Sequence, residues 1–295
     1  MTRRRGCRGL AALFLFAAIL FSVPAWAVPE KCPRLVASAP IPTLLAMARP
    51  RLAAWGQADA GRPLDRLRQA QADVQADAAA GQVALTFLGH ASFLIESPGG
   101  VSIVTDYNDY VPVPRVPDVV TMNHAHDTHY SFAPDPRIAH VLRGWNPDGG
   151  PARHELTLDD VWIRNVPTNL RDGAGTESDG NSIFVFEVAG LCIAHLGHLH
   201  HLLTPEHLAA LGRIDVVLAP VDGSYTLDLD GMAQTLASIG APLVIPMHYF
   251  SRWGLDRFLD RLGTRYAITS ASEPMVRLSR TELPKRPTVL VLPGR

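Results

Sequence analysis

Short apolar runs separated by glycine, proline and histidine begin at Val83 and continue along the rest of the chain. The runs 83–88, 93–95 and 101–105 are each bounded by turn residues such as Pro98-Gly99-Gly100. Runs of this length between turn residues are typical of β-strands rather than helices. The sequence therefore predicts three adjacent strands that follow one another as a meander.

Strand-like and helix-like patterns alternate after this meander. The further predicted strands are 118–122, 138–142, 155–158, 161–166, 182–188, 190–196, 214–218 and 243–247. The predicted helices are 204–211, 229–239 and 254–262. The runs 214–218 and 243–247 are apolar except for Asp215, which is apolar enough for strands that are buried on both faces. Together these patterns predict an α/β fold with two sheets packed face to face and helices outside them.

The first residues of the chain have the pattern of a targeting segment. Arg3-Arg4-Arg5 precede an apolar stretch from Leu10 to Val23, and Pro24-Ala25-Trp26-Ala27 then ends in small residues. This order predicts a secretory signal peptide at 1–27, and hence a periplasmic or secreted protein. The apolar stretch is too short and too poorly flanked for a strong membrane anchor. We therefore expect no stable membrane span after cleavage, with an uncleaved anchor as the alternative.

Residues 28–80 form a predicted N-terminal helical extension. A proline-rich stretch comes first, and helical periodicity then runs from Ile41 to about Ala80, interrupted at Gly61-Arg62-Pro63. We expect this extension to pack over one edge of the main domain, which we assign to residues 81–295.

Composition and charge narrow the class of protein. The chain is 47% apolar and 19% charged, so it can bury a substantial core. Removing the four arginines of the signal peptide takes the formal net charge from -1 to -5. A mildly acidic mature chain does not favour a nucleic-acid partner.

The cysteines allow one disulfide in the mature chain. Cys7 leaves with the signal peptide, and Cys32 and Cys192 remain. They could pair in an oxidising compartment. Because Cys32 lies near the new N-terminus and Cys192 lies inside an apolar strand, the expected state is unpaired.

Histidines follow three of the predicted strands, at 118–122, 190–196 and 243–247. Residues at the same end of neighbouring strands share one rim, where loops build sites on a rigid scaffold. Histidine is the commonest nitrogen ligand of zinc-like ions, and a group of imidazoles without matching cysteines indicates an open or catalytic metal site. The predicted metal ligands are His124, His126, His129, His198 and His248.

Several motifs together resemble the metallo-β-lactamase superfamily. They are Leu88-Gly89-His90-Ala91-Ser92, the strand end Thr105-Asp106, the histidine loop 124–129, Ala194-His195-Leu196-Gly197 and Pro246-Met247-His248-Tyr249, in the order of that family. The chain looks most like the branch with the ascorbate-6-phosphate lactonase and the N-acyl phosphatidylethanolamine phospholipase. The resemblance covers about residues 83–270.

The resemblance implies an αββα sandwich with one or two metal ions, usually zinc, at the edge between the sheets. It implies that a metal-bound hydroxide attacks an ester, lactone, amide or phosphodiester of a small-molecule or lipid-derived substrate. His124, His126 and His129 match histidines of the family's metal loop, and His248 matches a ligand of its second metal.

Three positions depart from the family pattern. Thr128 stands where the family has an aspartate, with Asp127 one place early, and His198 stands where it has a bridging carboxylate. The segment 166–172 lacks the family's further histidine; Asn169 is a weak substitute. Two cations a few ångströms apart need carboxylates to offset their repulsion. We therefore expect either one ion held by three or four histidines or a two-ion site completed by Asp106, Asp127 or Asp222.

A histidine that does not bind metal could act as a general base. The predicted catalytic residues are His198 first and His195 second. We expect Asp106 to lie behind the histidine loop and orient one of its rings. We expect His90 either to line the pocket or to hydrogen-bond a residue that binds the metal, with equal weight on the two. The alternative to a hydrolase is a non-catalytic member of the fold that binds a metal or another ligand.

Overall fold

The computed structural model describes Cys32, residues 81–172 and residues 175–294. The predicted signal peptide and the predicted helices of residues 41–80 lie outside the described residues. Within the described part of the chain, no helix is both long and apolar enough to cross a membrane.

Six strands form the first sheet. They are β1 (Val83–Gly89), β2 (Ser92–Glu96), β3 (Ser102–Val104), β4 (Val119–Met122), β5 (His140–Arg143) and β13 (Met275–Leu278). Their order is β13-β1-β2-β3-β4-β5. The first three strands pair antiparallel as the predicted meander, whereas β3, β4 and β5 pair in parallel.

Eight strands form the second sheet, in the order β12-β14-β11-β10-β9-β8-β7-β6. They are β6 (Glu155–Leu158), β7 (Val161–Asp172), β8 (Gly175–Val188), β9 (Leu191–His195), β10 (Val216–Pro220), β11 (Leu243–Met247), β12 (Ala267–Ser270) and β14 (Thr288–Val291). The strands β7 and β8 form a long antiparallel hairpin that extends well beyond the predicted 161–166 and 182–188. The added part is mostly polar and lacks the apolar pattern from which strands were predicted.

Within the described residues, three α-helices pack on the outer face of the eight-stranded sheet. They are α1 (Pro205–Leu211), α2 (Leu229–Ile239) and α3 (Arg252–Leu262). Each begins at a side chain that accepts a backbone N–H of the first turn, namely Thr204, Asp228 and Ser251. The buried helix residues Met232, Leu236 and Phe258 share one cluster with residues of the sheet.

The main core lies between the two sheets. Alternate residues of β1, namely Val83, Leu85 and Phe87, face buried residues of the other sheet such as Ile163 and Phe184. A fully buried large apolar side chain contributes roughly 1.5–3 kcal/mol relative to exposure. On the outer face of the six-stranded sheet, loop residues cover a third, smaller cluster. The predicted α/β sandwich is thus confirmed.

The strands β12, β13 and β14 have no counterpart among the predicted elements. Most residues of β12 and β13 are at least partly exposed, because each of these strands lies at the edge of its sheet. An exposed edge strand needs little apolar surface, so its sequence carries a weak pattern.

Cys32 and Cys192 form a disulfide, contrary to the expected unpaired state. Cys192 belongs to β9 and lies in the cluster on the outer face of the sheet. Cys32 reaches that face because its backbone N donates to Glu187 Oε2 at 2.9 Å and its carbonyl accepts from Arg213 N at 2.9 Å. The expectation was wrong because distance along the chain does not show which face an N-terminal segment will cross.

Candidate metal centre

The candidate site lies at the seam between the two sheets. His90 follows β1 of the six-stranded sheet, and His248 follows β11 of the eight-stranded sheet. The backbone N of His248 donates to the carbonyl O of His90 at 2.7 Å. This bond joins the ends of two strands from different sheets and fixes the positions of the two imidazoles.

Three site residues have a left-handed backbone. The φ angles are 51° at His90, 44° at Asp106 and 55° at His248. This conformation costs roughly 1–2 kcal/mol for a residue other than glycine. Such residues cluster at functional sites, where the rest of the fold offsets the strain. Here the strained residues come directly or almost directly after strands, where the backbone leaves the pleat and turns side chains into the seam.

A group of three imidazoles forms the buried part of the site. Ring nitrogens of His90, His129 and His248 all lie within 4.8 Å of one another. His129 Nε2 is 3.2 Å from His248 Nε2, and the two rings are stacked. His90 Nε2 is buried and has no hydrogen-bond partner among the described residues. With Zn–N bonds of about 2.0–2.1 Å, tetrahedral ligand atoms lie about 3.3 Å apart, which is the spacing of the His129–His248 pair, and a His90 ring nitrogen lies within 4.8 Å of both.

His198 occupies the centre of the imidazole cluster. Its Nδ1 lies 2.9 Å from His129 Nε2. Its ring centroid is 5.2 Å from that of His248 and 5.3 Å from that of His124. Burial, and then the neighbouring His129, hold the pKa of His198 well below its ordinary value. This central place is where the family pattern has a bridging carboxylate.

His124 and His126 lie on the outer side of the cluster, with His126 exposed and His124 half-buried. Their rings are nearly parallel, with centroids 6.0 Å apart, and each centroid is 6.2 Å from that of His129. His124 Nδ1 is 3.1 Å from Gly180 O, and His126 Nδ1 is 3.1 Å from Asp127 Oδ1. Of the predicted ligands, the structure therefore brings His129, His198 and His248 closest together.

Two buried carboxylates lie behind the cluster. Asp106 Oδ2 is 2.7 Å from His129 Nδ1, as expected for a carboxylate that orients a ligand ring. Asp222 Oδ1 is 3.1 Å from His248 Nδ1, although that ring nitrogen lacks hydrogen-bond alignment with any described residue. Asp127, which comes one residue earlier than the aspartate of the family pattern, lies at the surface. Its carboxylate contacts His126 there rather than the imidazole cluster's buried group.

The electrostatics of the site follow from burial. Burial, with a smaller effect of neighbouring His248, lowers the pKa of His90 to about 4, and burial likewise lowers the pKa of His124 to about 4. These rings are therefore neutral at pH 7, which is the form that binds a metal. Burial also raises the pKa of Asp106, whereas in Asp222 the neighbouring His248 and the Thr226 hydroxyl outweigh burial and lower the pKa.

His195 is fully buried and has partners at both ring nitrogens. Its Nε2 lies 2.7 Å from Ala91 O, and its Nδ1 accepts from Gly197 N at 3.1 Å. Asn123 Nδ2 also lies 3.1 Å from Nδ1. The ring therefore carries its proton on Nε2 and holds the end of β9 against the start of β2. It has no ring nitrogen left for a substrate, so its predicted catalytic role gains no support.

Gly197 allows the chain to enter the cluster. It has a φ of 60°, and a Cβ there would lie 2.5 Å from Asn181 Oδ1 and 2.6 Å from Asn123 Nδ2. The next residue, His198, donates its backbone N–H to the same Asn181 Oδ1 at 2.9 Å. The close approach of the two asparagines therefore requires glycine at position 197. The hydrogen bond to Asn181 then fixes the backbone of His198.

A cavity of about 560 Å³ opens over the cluster. It is lined by His90, His124, His126, Thr128, Leu170, Arg171, Glu177, His198, His200, Tyr225, His248 and Phe250. Sequence reasoning missed Leu170, Arg171, Glu177, Tyr225 and Phe250 as lining residues, and it allowed at most one of His200 and His201 to bind the metal. The part of the hairpin that brings Arg171 to the cavity is mostly polar and has no strand signal, but Phe250 lies only two residues after the motif histidine His248.

The fold and the imidazole cluster define a family. Residues 84–248 match the family described as the β-lactamase superfamily domain. The chain therefore belongs to the metallo-β-lactamase superfamily, as its motifs predicted.

Within that superfamily the chain is similar to archaeal proteins called UPF0173 metal-dependent hydrolases. It is 31% identical over 183 residues to that of Methanoculleus marisnigri, covering 56% of this chain and 80% of the relative. It is 28% identical to that of Methanosphaerula palustris, covering 65% of this chain and 95% of the relative. A crystal structure from Thermotoga maritima, described as a zinc-dependent hydrolase of the superfamily, matches with a TM-score of 0.53 and 31% identity, covering 72% of this chain and 100% of that chain.

Proposed function

We propose that this chain is an exported, metal-dependent hydrolase, with zinc as the ion that fits it best. The observation that carries the proposal is the convergence of ring nitrogens of His90, His129 and His248 within 4.8 Å, below an open cavity. Nitrogen ligands in the absence of thiolates, with an aqueous side, are typical of catalytic zinc sites. The disulfide between Cys32 and Cys192 supports export, because disulfides persist in oxidising compartments.

When bound, an ion of this kind lowers the pKa of water to near neutrality and polarises the bond that is cleaved. The protein's own contribution is orientation. Asp106 holds the ring of His129 by its Nδ1, so that Nε2 faces the cluster. Asp222 Oδ1 lies 3.1 Å from His248 Nδ1 and places a negative charge behind that ring, without the hydrogen-bond alignment that Asp106 has with His129.

His198 lies between the buried group and the cavity, within reach of both. We propose it as the group that receives a proton from water, or as a further ligand of the ion. Esters, lactones and phosphodiesters of small-molecule or lipid-derived compounds are the proposed substrates, since all are cleaved by attack of water on a polarised centre.

Metal analysis and a substrate panel test this proposal. The purified chain is expected to contain zinc or to bind it after dialysis, and to hydrolyse at least one of a set of nitrophenyl esters, lactones and phosphodiesters. The same protein stripped of metal serves as the control and should be inactive until zinc is returned. A chain that purifies without metal and does not bind added zinc would refute the proposal.

A second candidate is a member of the fold that binds a metal or another ligand without turnover. It is favoured by Thr128 and His198, which stand where the family has carboxylates. This candidate predicts bound metal together with no hydrolysis of any substrate in the panel, so the same two measurements separate it from the first.

A further inference from the structure

His200 is a buried ring in the cavity wall that has no role in the site described so far. It is only 9% exposed, and its ring centroid lies 4.8 Å from that of His198. Its Nε2 is buried and forms no hydrogen bond with any residue that the structure describes. Leaving a buried polar atom unpaired is destabilising, so such an atom in a cavity wall points to a ligand.

The proton of His200 has a defined position. The backbone N–H of Arg171 donates to His200 Nδ1 at 3.2 Å. A neutral imidazole carries one proton, so a ring that accepts at Nδ1 carries its proton on Nε2. The unpaired atom is therefore an N–H donor, held by the backbone of β7 on its other side.

The neighbouring His201 shows the contrast. Its Nε2 accepts from Asn169 N at 3.0 Å, and its Nδ1 lies 2.8 Å from Leu202 O. Both histidines thus receive a backbone N–H from β7, but His201 has partners at both ring nitrogens. Supporting the hairpin alone does not explain the free donor of His200.

A positive charge lies on the same side of the cavity. Arg171 lines the cavity together with His200. Glu177, on the paired strand β8, lines the cavity as well, and its Oε1 lies 2.7 Å from where a Cβ on Gly180 would be. An N–H donor beside a guanidinium is the pairing that binds phosphate and carboxylate oxygens in proteins.

We propose that His200 and Arg171 form an oxyanion-binding subsite beside the imidazole cluster, which takes a phosphoryl group of the substrate. The inference rests on the proposed function in that it names the anionic part of the substrate for the same cavity. Among the proposed substrates it selects phosphodiesters and phosphate esters over neutral esters and lactones. His200 Nε2–H donates to a phosphoryl oxygen, and Arg171 supplies the charge.

Inorganic phosphate is the probe, titrated by calorimetry into the full chain with and without bound zinc. In H200N the asparagine oxygen can replace Nδ1 as the acceptor for Arg171 N–H, but nothing replaces the Nε2–H donor. In H200Q the amide nitrogen can replace that donor, while the acceptor is lost. Because one hydrogen bond to a charged group is removed, H200N should bind phosphate at least about tenfold more weakly, and H200Q within about threefold of the original chain.

His201→Gln is the matched control, because its amide oxygen can still accept from Asn169 N, and phosphate affinity should not change. The inference is overturned if the original chain binds no phosphate, or if H200N binds it as well as the original chain. A loss confined to H200Q would also overturn it, since the ring would then serve only to brace β7.

Metal content and hydrolysis, measured on the same preparations, keep the two proposals separate. A chain that binds phosphate through His200 but takes up no metal contradicts the proposed function and supports the subsite. A chain that holds metal and hydrolyses neutral esters, but binds no phosphate, supports the proposed function and overturns the subsite.

Discussion

Three histidines at the end of β9 and just after it are used in three different ways. His195 has both ring nitrogens paired inside the protein, His198 lies at the centre of the imidazole cluster, and His200 has one ring nitrogen free in the cavity wall. Their difference comes from Gly197, where a positive φ ends the alternation of a strand. Residue type alone therefore does not assign a role; the partner of each ring nitrogen does.

The buried group His90, His129 and His248 is expected to hold the ion most tightly. His90→Ala and His248→Ala should each reduce bound zinc from about one ion per chain to a small fraction, because a three-nitrogen site loses a third of its ligands. Metal content after dialysis against a weak chelator, and the absorption of the cobalt-substituted protein, measure the change.

The control for this prediction is His140→Ala, which changes a histidine of β5 outside the cavity lining. The double variant His124→Ala/His126→Ala should keep about one ion, which departs from the sequence-based expectation that these two residues hold it. Loss of metal in the double variant, with retention in His90→Ala, would place the ion in the outer pair instead.

His198→Asp is predicted to raise the metal content towards two ions per chain. The ring of His198 lies between the buried group and His124, where a carboxylate could bridge two cations and offset their repulsion. Zinc titration followed by elemental analysis measures the stoichiometry, and His198→Asn, which adds no charge, is the control. Equal stoichiometry in the two variants would count against a bridging position.

At the scale of secondary-structure elements, the site is made by strand ends. The backbone bond between His248 and His90 joins β11 to β1, and Asp106 accepts the backbone N–H of Asn123 at 3.0 Å, which joins the ends of β3 and β4. Each strand therefore contributes less through its length than through the way in which its backbone leaves the sheet.

Gly197→Ala tests this dependence at the end of β9. Both Gly197 and Gly190 have positive φ angles, but a Cβ at Gly190 would meet no atom within 4 Å. Gly190→Ala should therefore lose only the roughly 1–2 kcal/mol of the left-handed conformation. Gly197→Ala should lose a further 1–3 kcal/mol or so, because two buried asparagines must move. Urea unfolding of the two variants measures the difference, and equal losses would contradict the close packing of Gly197 against Asn123 and Asn181.

The sequence predicted elements well where burial imposes a pattern. The strands β1, β10 and β11 lie near their predicted bounds because their residues are almost all buried. The polar half of the β7–β8 hairpin and the edge strands β12 and β13 lack that pattern. The hairpin carries Arg171 to the cavity. Local periodicity therefore could not predict the strand that holds the proposed substrate-binding arginine.

At the scale of the whole molecule, two features depend on contacts between distant parts of the chain. His90 joins His248 across the seam, although they lie 158 positions apart and only the motif order related them in the sequence. The disulfide joins residues 160 positions apart. The histidine motifs allowed the site to be predicted in outline, but its inner group and the disulfide required the packing of both sheets.

Reduction of the disulfide is predicted to lower the free energy of unfolding by about 2–5 kcal/mol, because an intact cross-link over a long loop restricts the unfolded chain. Urea unfolding with and without a reductant measures this loss. Cys192→Ser is the control, since its stability should be low in both conditions and should not respond to the reductant. A chain equally stable in both states would show that Cys32 contributes little to the folded domain.

The left-handed residues at the site imply a trade-off between the stability of the folded protein and metal binding. Glycine adopts the left-handed conformation at position 90 or 248 without strain. The metal-free H90G variant should therefore be more stable than the metal-free H90A variant, although both lose the imidazole that could bind metal. Selection for stability alone would thus favour glycine at these two positions. The histidines there show that the seam keeps side chains for metal binding at a cost in stability.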